Sequence, residues 1–209
     1  MSPRRSAADA RQTRGAILAR GVELASAEGL EGLTIGRLAA DLDMSKSGVL
    51  GHFGTKESLQ LAVLETAAEV FFREVPQRAV AAAAGMPHLL ALCEAWISYL
   101  ERGVFPGGCF FAAAATEFDD RDGPVREAVA RLTSLWQGHD LRRHVRLAVA
   151  AGDLPPATDP EQVVFELTGQ MLALNFALQL HRDRGAPDRA RRATARLLGR
   201  PLGAREAAH

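Results

Sequence analysis

Between residues 34 and 56 the sequence TIGRLAADLDMSKSGVLGHFGTK gathers Thr34, Ser45, Lys46, Ser47, His52 and Lys56. Hydroxyls, ammonium groups and an imidazole at this density bond phosphate oxygens and base edges, the first fixing register and the second carrying sequence information. Leu50 adds methyl groups that can touch a thymine methyl or pack inward. Lys46, Ser47, Val49, Leu50 and His52 are therefore the candidates for base edges or phosphates, with Thr34, Ser45 and Lys56 as anchors on the DNA backbone.

Elements of a particular kind must hold these groups. Ile35, Leu38, Ala39 and Leu42 recur at i, i+3, i+4 and i+7, one face of a helix. Thr34 stands where it can cap that helix, and Ser45 can cap a second one, Lys46 to Phe53, after the short break Asp43-Met44. Two short helices joined by a tight turn form the geometry whose second helix enters the major groove. Val49 and Phe53, four apart, can pin that second helix to the one behind it. An ordinary helical hairpin would show the same spacing. Gly48 and Gly51 make the segment a poor helix in isolation; something must offset that cost, and close approach to another backbone or to DNA is one candidate.

The run TIGRLAADLDMSKSGVLGHFGTKESLQLAVLE resembles the N-terminal domain of the tetracycline-repressor-like (TetR) family of bacterial transcription regulators. The step His52-Phe53-Gly54-Thr55-Lys56-Glu57-Ser58-Leu59 matches the family's passage from the helix-turn-helix into a long fourth helix. The resemblance implies a dimer that binds double-stranded operator DNA with its first three helices and a small-molecule effector with its C-terminal domain. It implies that Lys56 lies beside the DNA. The aromatic residue that often contacts a phosphate in this family is Leu50 here, a departure from the pattern. VFPGGCFFAAAATEFDDRDGPVR is similar to ligand-domain sequence of one bacterial subgroup.

The totals agree with an all-α chain of about nine helices. It has 209 residues, 47% of them hydrophobic, and little strand-like alternation. Residues 1–57 read as the helix-turn-helix domain and 58–209 as the ligand-binding and dimerisation domain, with a helix from about 55 linking them. Twenty-five basic residues balance 25 acidic ones, so no global field announces nucleic acid. Locally, Arg4, Arg5, Arg11, Arg14 and Arg20 face Asp9 alone, a basic arm suited to phosphates or a solvated terminus. Without an apolar leader or a run long enough to span a bilayer, the chain is expected to be cytoplasmic, with no membrane partner.

Helical stripes continue beyond residue 86. Leu89, Cys93, Trp96 and Leu100 share a face, as do Val125, Val129, Leu132 and Trp136. Phe71, Trp96, Phe105, Phe110, Phe111 and Trp136 are candidates to line an effector site, an apolar pocket with few polar groups. Residues 160–182 carry two apolar sides, Val163, Leu167, Met171, Leu174 and Leu178 on one and Phe165, Leu172, Phe176 and Leu180 on the other. With Leu197 from a last helix at 187–199, Phe165, Leu167, Met171, Leu174 and Leu178 are the candidates for a dimer interface; closure of the monomer core is the alternative.

Catalytic signatures are lacking: there is no Walker loop, GxSxG elbow, HExxH or CxxC. His139 and His144, five apart, fall on different helical faces, so neither a metal nor a cofactor is expected. Glu117, Asp119, Asp120 and Asp122 read as a solvated helix end. Cys109, after two glycines, could be a thiol sensor with Cys93 as its resolving partner, or both could be buried apolar residues. A helical enzyme or interaction module that kept the helix-turn-helix shape is the remaining alternative.

Overall fold

The structure, a computed structural model, describes the backbone of residues 3–200 and 202 and the side chains of residues 8–200 and 202. Arg4 and Arg5 of the expected basic arm lie outside the described side chains. Among the described residues all regular structure is helical: α1 Pro3–Glu28, α2 Ile35–Asp41, α3 Lys46–Phe53, α4 Lys56–Glu74, α5 Pro76–Ala79, α6 Met86–Glu101, α7 Phe110–Phe118, α8 Pro124–Leu135, α9 Arg143–Ala150, α10 Pro160–Gln179 and α11 Ala186–Leu198. A π-helical segment, Trp136–Arg142, joins α8 to α9 without a break. With 124–150 counted as one rod and the single turn α5 set aside, these are the nine helices expected from the sequence.

Two compact units divide the chain, Met1–Glu69 with Phe105–Arg131, and Val70–Val104 with Leu132–His209. The division expected at 57/58 follows the helix-turn-helix, whereas these units place α4 as far as Glu69 and the whole of α7 with it.

In the first unit, α1 is long enough to support α2, and its apolar face fills the interior with Ile17, Leu18, Val22, Leu24 and Ala25. Leu30, Leu33, Leu38, Val49, Phe53, Leu59 and Val63 complete that core. Gly29 stops α1 in a backbone conformation with φ +90 that side chains resist. The N–H groups of Leu30 and Glu31, left over by the end of α1, both donate to the carboxylate of Glu117 on α7, at 2.7 and 2.9 Å. Glu117 is therefore a backbone anchor and not part of a solvated acidic end; Asp119, Asp120 and Asp122 are exposed as expected. Gly107 lies so close to α1 that a β-carbon there would stand 1.6 Å from the Ser26 carbonyl oxygen, and its N–H donates to Ser26 Oγ at 2.9 Å.

The second unit is built around α6, which buries nine residues including Leu89, Cys93, Trp96 and Leu100 of the expected stripe. α10 and α11 pack on it and on each other. Arg191 of α11 donates to Glu94 at 2.7 Å and to Glu101 at 2.9 Å on α6, and Thr194 donates to Gln170 of α10 at 2.9 Å. These polar side chains are thus paired across helices, which fixes the register of α6, α10 and α11. The His144 ring stacks on that of His88 with centroids 4.0 Å apart, and its Nδ1 accepts the N–H of Gly85 at 3.2 Å.

Burial, then the neighbouring His88, Arg143 and His139 charges, push the His144 imidazole down from 6.5 to about 4. The unfolded chain then binds a proton at His144 more readily than the folded one, so this contribution to stability is present above pH 6.5 and is lost as the pH falls towards 4. The melting temperature is expected to fall between pH 7 and pH 5, and a His144→Gln variant, whose amide oxygen can still accept from Gly85, is expected to show a flatter profile. An identical fall in the variant would contradict this assignment.

Candidate functional site

The surface formed by α2 and α3 is assembled from local hydrogen bonds. Thr34 caps α2, its hydroxyl accepting the N–H of Arg37 at 3.1 Å, and keeps its own proton to donate. α2 ends in a turn in which Asp43 takes a left-handed conformation, φ 53, tolerated by a short polar side chain. Ser45 caps α3 by accepting the N–H of Gly48 at 3.0 Å and shares a 3.0 Å hydrogen bond with the hydroxyl of Ser47. Gly54, at φ 73, closes α3, and Thr55 accepts the N–H of Ser58 at 3.0 Å to start α4. Every junction between Thr34 and Ser58 is therefore held by a side chain or a glycine that the sequence places there.

Packing orients α3. Val49 has no exposed surface and Phe53 is buried. The guanidinium of Arg14 on α1 lies 5.0 Å from the centre of the Phe53 ring, a cation–π contact on the scaffold side. Ser45, Lys46, Ser47, Leu50 and Gly51 are exposed and His52 is half-exposed. The Lys46 stem crosses Gly36 in the first turn of α2, where a β-carbon would meet its Cε at 3.2 Å.

The expected DNA-facing residues thus divide. Thr34, Ser45, Lys46, Ser47 and Leu50 are exposed and His52 is half-exposed, so each is open to a partner. Val49 is not; its side chain is sealed in the core, so it positions α3 and cannot touch a base. Lys56, expected to face a phosphate, donates to the Glu31 carbonyl and to its carboxylate, each at 2.7 Å. That ammonium, then the Gln60 amide, holds the Glu31 carboxyl below the usual carboxylate range. Arg20, counted in the basic arm, is bound to Asp41 and Glu23. Arg11 and Arg14 remain exposed.

The six candidate effector residues fall into two sets. Phe71, Trp96 and Trp136 meet in the second unit, with Tyr99: the Phe71 ring lies 6.4, 5.4 and 5.1 Å from those of Trp96, Tyr99 and Trp136, and Trp96 lies 5.1 Å from Trp136, all edge to face. Phe105, Phe110 and Phe111 belong to the first unit, where Phe110 contacts both neighbours at 5.7 and 5.8 Å. Tyr99 is not among the residues expected at an effector site, although it lies three residues from Trp96 and so on the same helical side.

The two apolar sides of α10 also separate. Leu167, Met171 and Leu174, expected at a dimer interface, are buried in the protomer, and Leu178 and Leu197 are half-buried. Phe165 is 75% exposed, and Leu172, Phe176 and Leu180 are each more than half exposed on the opposite side. As for the thiols, Cys93 has no exposed surface, and burial pushes it up to about 12. It stays protonated and cannot act as a resolving thiolate; Cys109 is buried too. No helix among the described residues is long and apolar enough to cross a membrane.

Comparisons with known proteins bear on both units. The family model described as "Bacterial regulatory proteins, tetR family" matches residues 17–63, and that described as "Tetracyclin repressor-like, C-terminal domain" matches residues 85–194. A TetR transcriptional regulator from Chloroflexus aurantiacus superimposes with a TM-score of 0.81 at 24% identity, over 91% of this chain and 94% of that one. A TetR-family regulator from Cytophaga hutchinsonii gives 0.80 at 17% identity, over 94% and 98%. AibR, solved in complex with isovaleryl coenzyme A and operator DNA, gives 0.68 at 21% identity, over 90% and 96%. No protein of curated function matches the sequence significantly.

The carboxylate of Glu117 is expected to be worth more than any other single side chain outside the first unit's apolar core. A Glu117→Ala variant leaves the Leu30 and Glu31 N–H groups without their charged acceptor and should lose about 2–3 kcal/mol in urea unfolding, and Glu117→Gln, with one acceptor oxygen left, less. An alanine variant as stable as the parent would show that water replaces the carboxylate at no cost.

Proposed function

We propose, since this chain belongs to the TetR family of bacterial transcriptional regulators, that it is a repressor which binds a palindromic operator as a homodimer and leaves it when a small-molecule effector binds. The observation that carries the reading is the surface of α3: a short, doubly capped helix with Ser45, Lys46, Ser47, Leu50 and His52 turned outward and Val49 and Phe53 locked behind it. Such an edge suits the major groove, where hydroxyls, an ammonium and an imidazole meet base edges and Leu50 meets a thymine methyl. Thr34, with a hydroxyl proton to spare at the start of α2, and Arg11 and Arg14 on α1 are then the neighbouring groups for backbone phosphates. Lys56 fixes the first turn of α4 through Glu31 with two of its three ammonium protons, and the third is left for a phosphate.

Two copies are needed to read two half-sites about one DNA turn apart. The exposed stripe Phe165, Leu172, Phe176 and Leu180 on α10, with the half-buried Leu178 and Leu197 at its margin, supplies a self-complementary apolar surface of the kind homodimers bury. The rings of Phe71, Trp96, Tyr99 and Trp136 supply the effector site. An effector there releases the operator by binding more tightly to a conformer whose recognition helices no longer match the half-site spacing. AibR, with both coenzyme A thioester and operator DNA in one structure, has the partners this reading requires. The work proposed for the chain is regulation and not catalysis.

Titration of the purified protein against the DNA upstream of its own gene, at a series of salt concentrations, tests the reading. Binding should weaken steeply with salt. A Lys46→Ala variant should bind more weakly and lower the log–log salt slope by about one, as the loss of a single phosphate contact does. A slope unchanged by the substitution would remove Lys46 from the interface, and binding indifferent to salt would count against the whole reading.

A further inference from the structure

We infer that the ring cluster of the second unit takes an uncharged apolar molecule bearing carbonyl or ester oxygens, held by hydrogen bonds from the indole N–H groups of Trp96 and Trp136. The inference rests on the effector reading above and adds the chemistry of the ligand. Trp96 is 7% exposed and its Nε1 is buried with no hydrogen-bond partner; Nε1 of Trp136 is in the same condition. Their ring centres are only 5.1 Å apart. Two orphan donors in one aromatic cluster are unusual, because buried polar groups are paired almost everywhere in proteins and indole is a donor only. The Tyr99 ring in the same cluster carries a hydroxyl, so the polar atoms offered to a ligand are two indole donors and one hydroxyl, set among carbon faces.

The cluster's unpaired chemistry selects the ligand. Both indoles ask for an acceptor, so a ligand oxygen relieves a penalty already present in the folded chain. A quaternary ammonium has no acceptor and would leave both donors buried and unpaired. It also needs an open ring face, whereas Phe71, Trp96 and Trp136 meet one another edge to face at 86 to 88°. A carboxylate could accept but would carry a full charge into a cluster made mainly of aromatic carbon, at a large desolvation cost. A ketone, lactone or ester meets the donors without that cost. Thr168 of α10, whose Oγ1 is also buried and unpaired, adds a further polar atom in the same unit.

Trp136 is also the first residue of the π-helical segment. Such segments are rare and concentrate at functional sites. Their one extra residue per turn is a local misfit with the α-helices on either side. Tightening that turn to α geometry swings the side chains beyond it by about one residue, roughly 100°. A ligand oxygen on the Trp136 N–H therefore acts where the rod is able to change its winding.

The chain has two tryptophans in all, so its indole signals report this cluster alone. The full-length protein, without DNA, is titrated with methyl nonyl ketone, δ-decalactone and decyltrimethylammonium, while tryptophan emission and the two indole N–H resonances are followed. The ketone and the lactone should bind at least about tenfold more tightly than the cation and move both indole resonances downfield. Trp96→Phe and Trp136→Phe, each keeping an aromatic ring, should each weaken ketone binding by about tenfold, the worth of one buried hydrogen bond. Equal or tighter binding of the cation, or indole resonances unmoved by either carbonyl probe at its solubility limit, would overturn the assignment. Operator retention on the same preparation tests the regulatory reading separately: a protein that binds the ketone but no operator would keep this assignment and lose that one.

Discussion

The carboxylate of Glu117 governs how the first unit is put together. Where α1 stops, two main-chain N–H groups point away from any helical partner, and one of them, on Leu30, belongs to a residue with almost no exposed surface. A buried donor must find an acceptor. Here it finds one on α7, more than 80 residues along the chain. The next residue continues the joint: the carbonyl and carboxylate of Glu31 receive Lys56, its carboxylate receives Gln60 at 3.2 Å, and Arg121 stands 3.5 Å away. Gln60 also donates to the Leu30 carbonyl at 2.9 Å. The end of α1, the start of α4 and α7 are thereby tied at one spot of two residues. The direction in which the chain leaves α1 fixes where α2 begins, and α2 carries α3.

The recognition helix itself has little intrinsic stability. It has eight residues, two of them glycine, well below the length at which an isolated helix persists in water. Its order comes from outside: Ser45 and Gly54 at its ends, Val49 and Phe53 beneath, Arg14 across the Phe53 ring. The division of labour is sharp along a single turn. Val49 is wholly buried, while Leu50, the next residue, is 40% exposed. The substitution of leucine for the aromatic residue common at that point leaves the surface with a methyl-bearing contact in place of a ring.

Local chemistry was readable from the sequence and distant chemistry was not. Thr34 and Ser45 each cap the helix expected of them, and Thr55 starts α4 and Gly29 ends α1 by equally local chemistry, because caps and stops depend on residues within four positions. The helical stripes of α6 and α10 were legible for the same reason. Which side of α10 faces outward was not: Leu167 with Met171 and Phe165 with Phe176 are equally apolar, and only the tertiary packing decides between them. Glu117 looked like one of four acids at a helix end, since its partners are backbone groups with no side-chain signature. The cross-helix partners of Arg20 and Lys56, Asp41 and Glu31, lie 21 and 25 residues away and left no local signal, whereas Glu23, three residues from Arg20, is a local partner. The π segment left no trace, as WQGHDLR is compatible with an α-helix throughout.

The proposed regulation requires α3 to be presented to DNA twice, by a symmetric pair. Hydroxyl-radical footprinting of the intact protein on the DNA upstream of its gene measures that directly. Two equivalent protected stretches, related by a dyad and centred about one helical turn apart, roughly 34–36 Å, are the predicted result. A single protected stretch, or protection that follows no dyad and moves with every fragment tested, would contradict it.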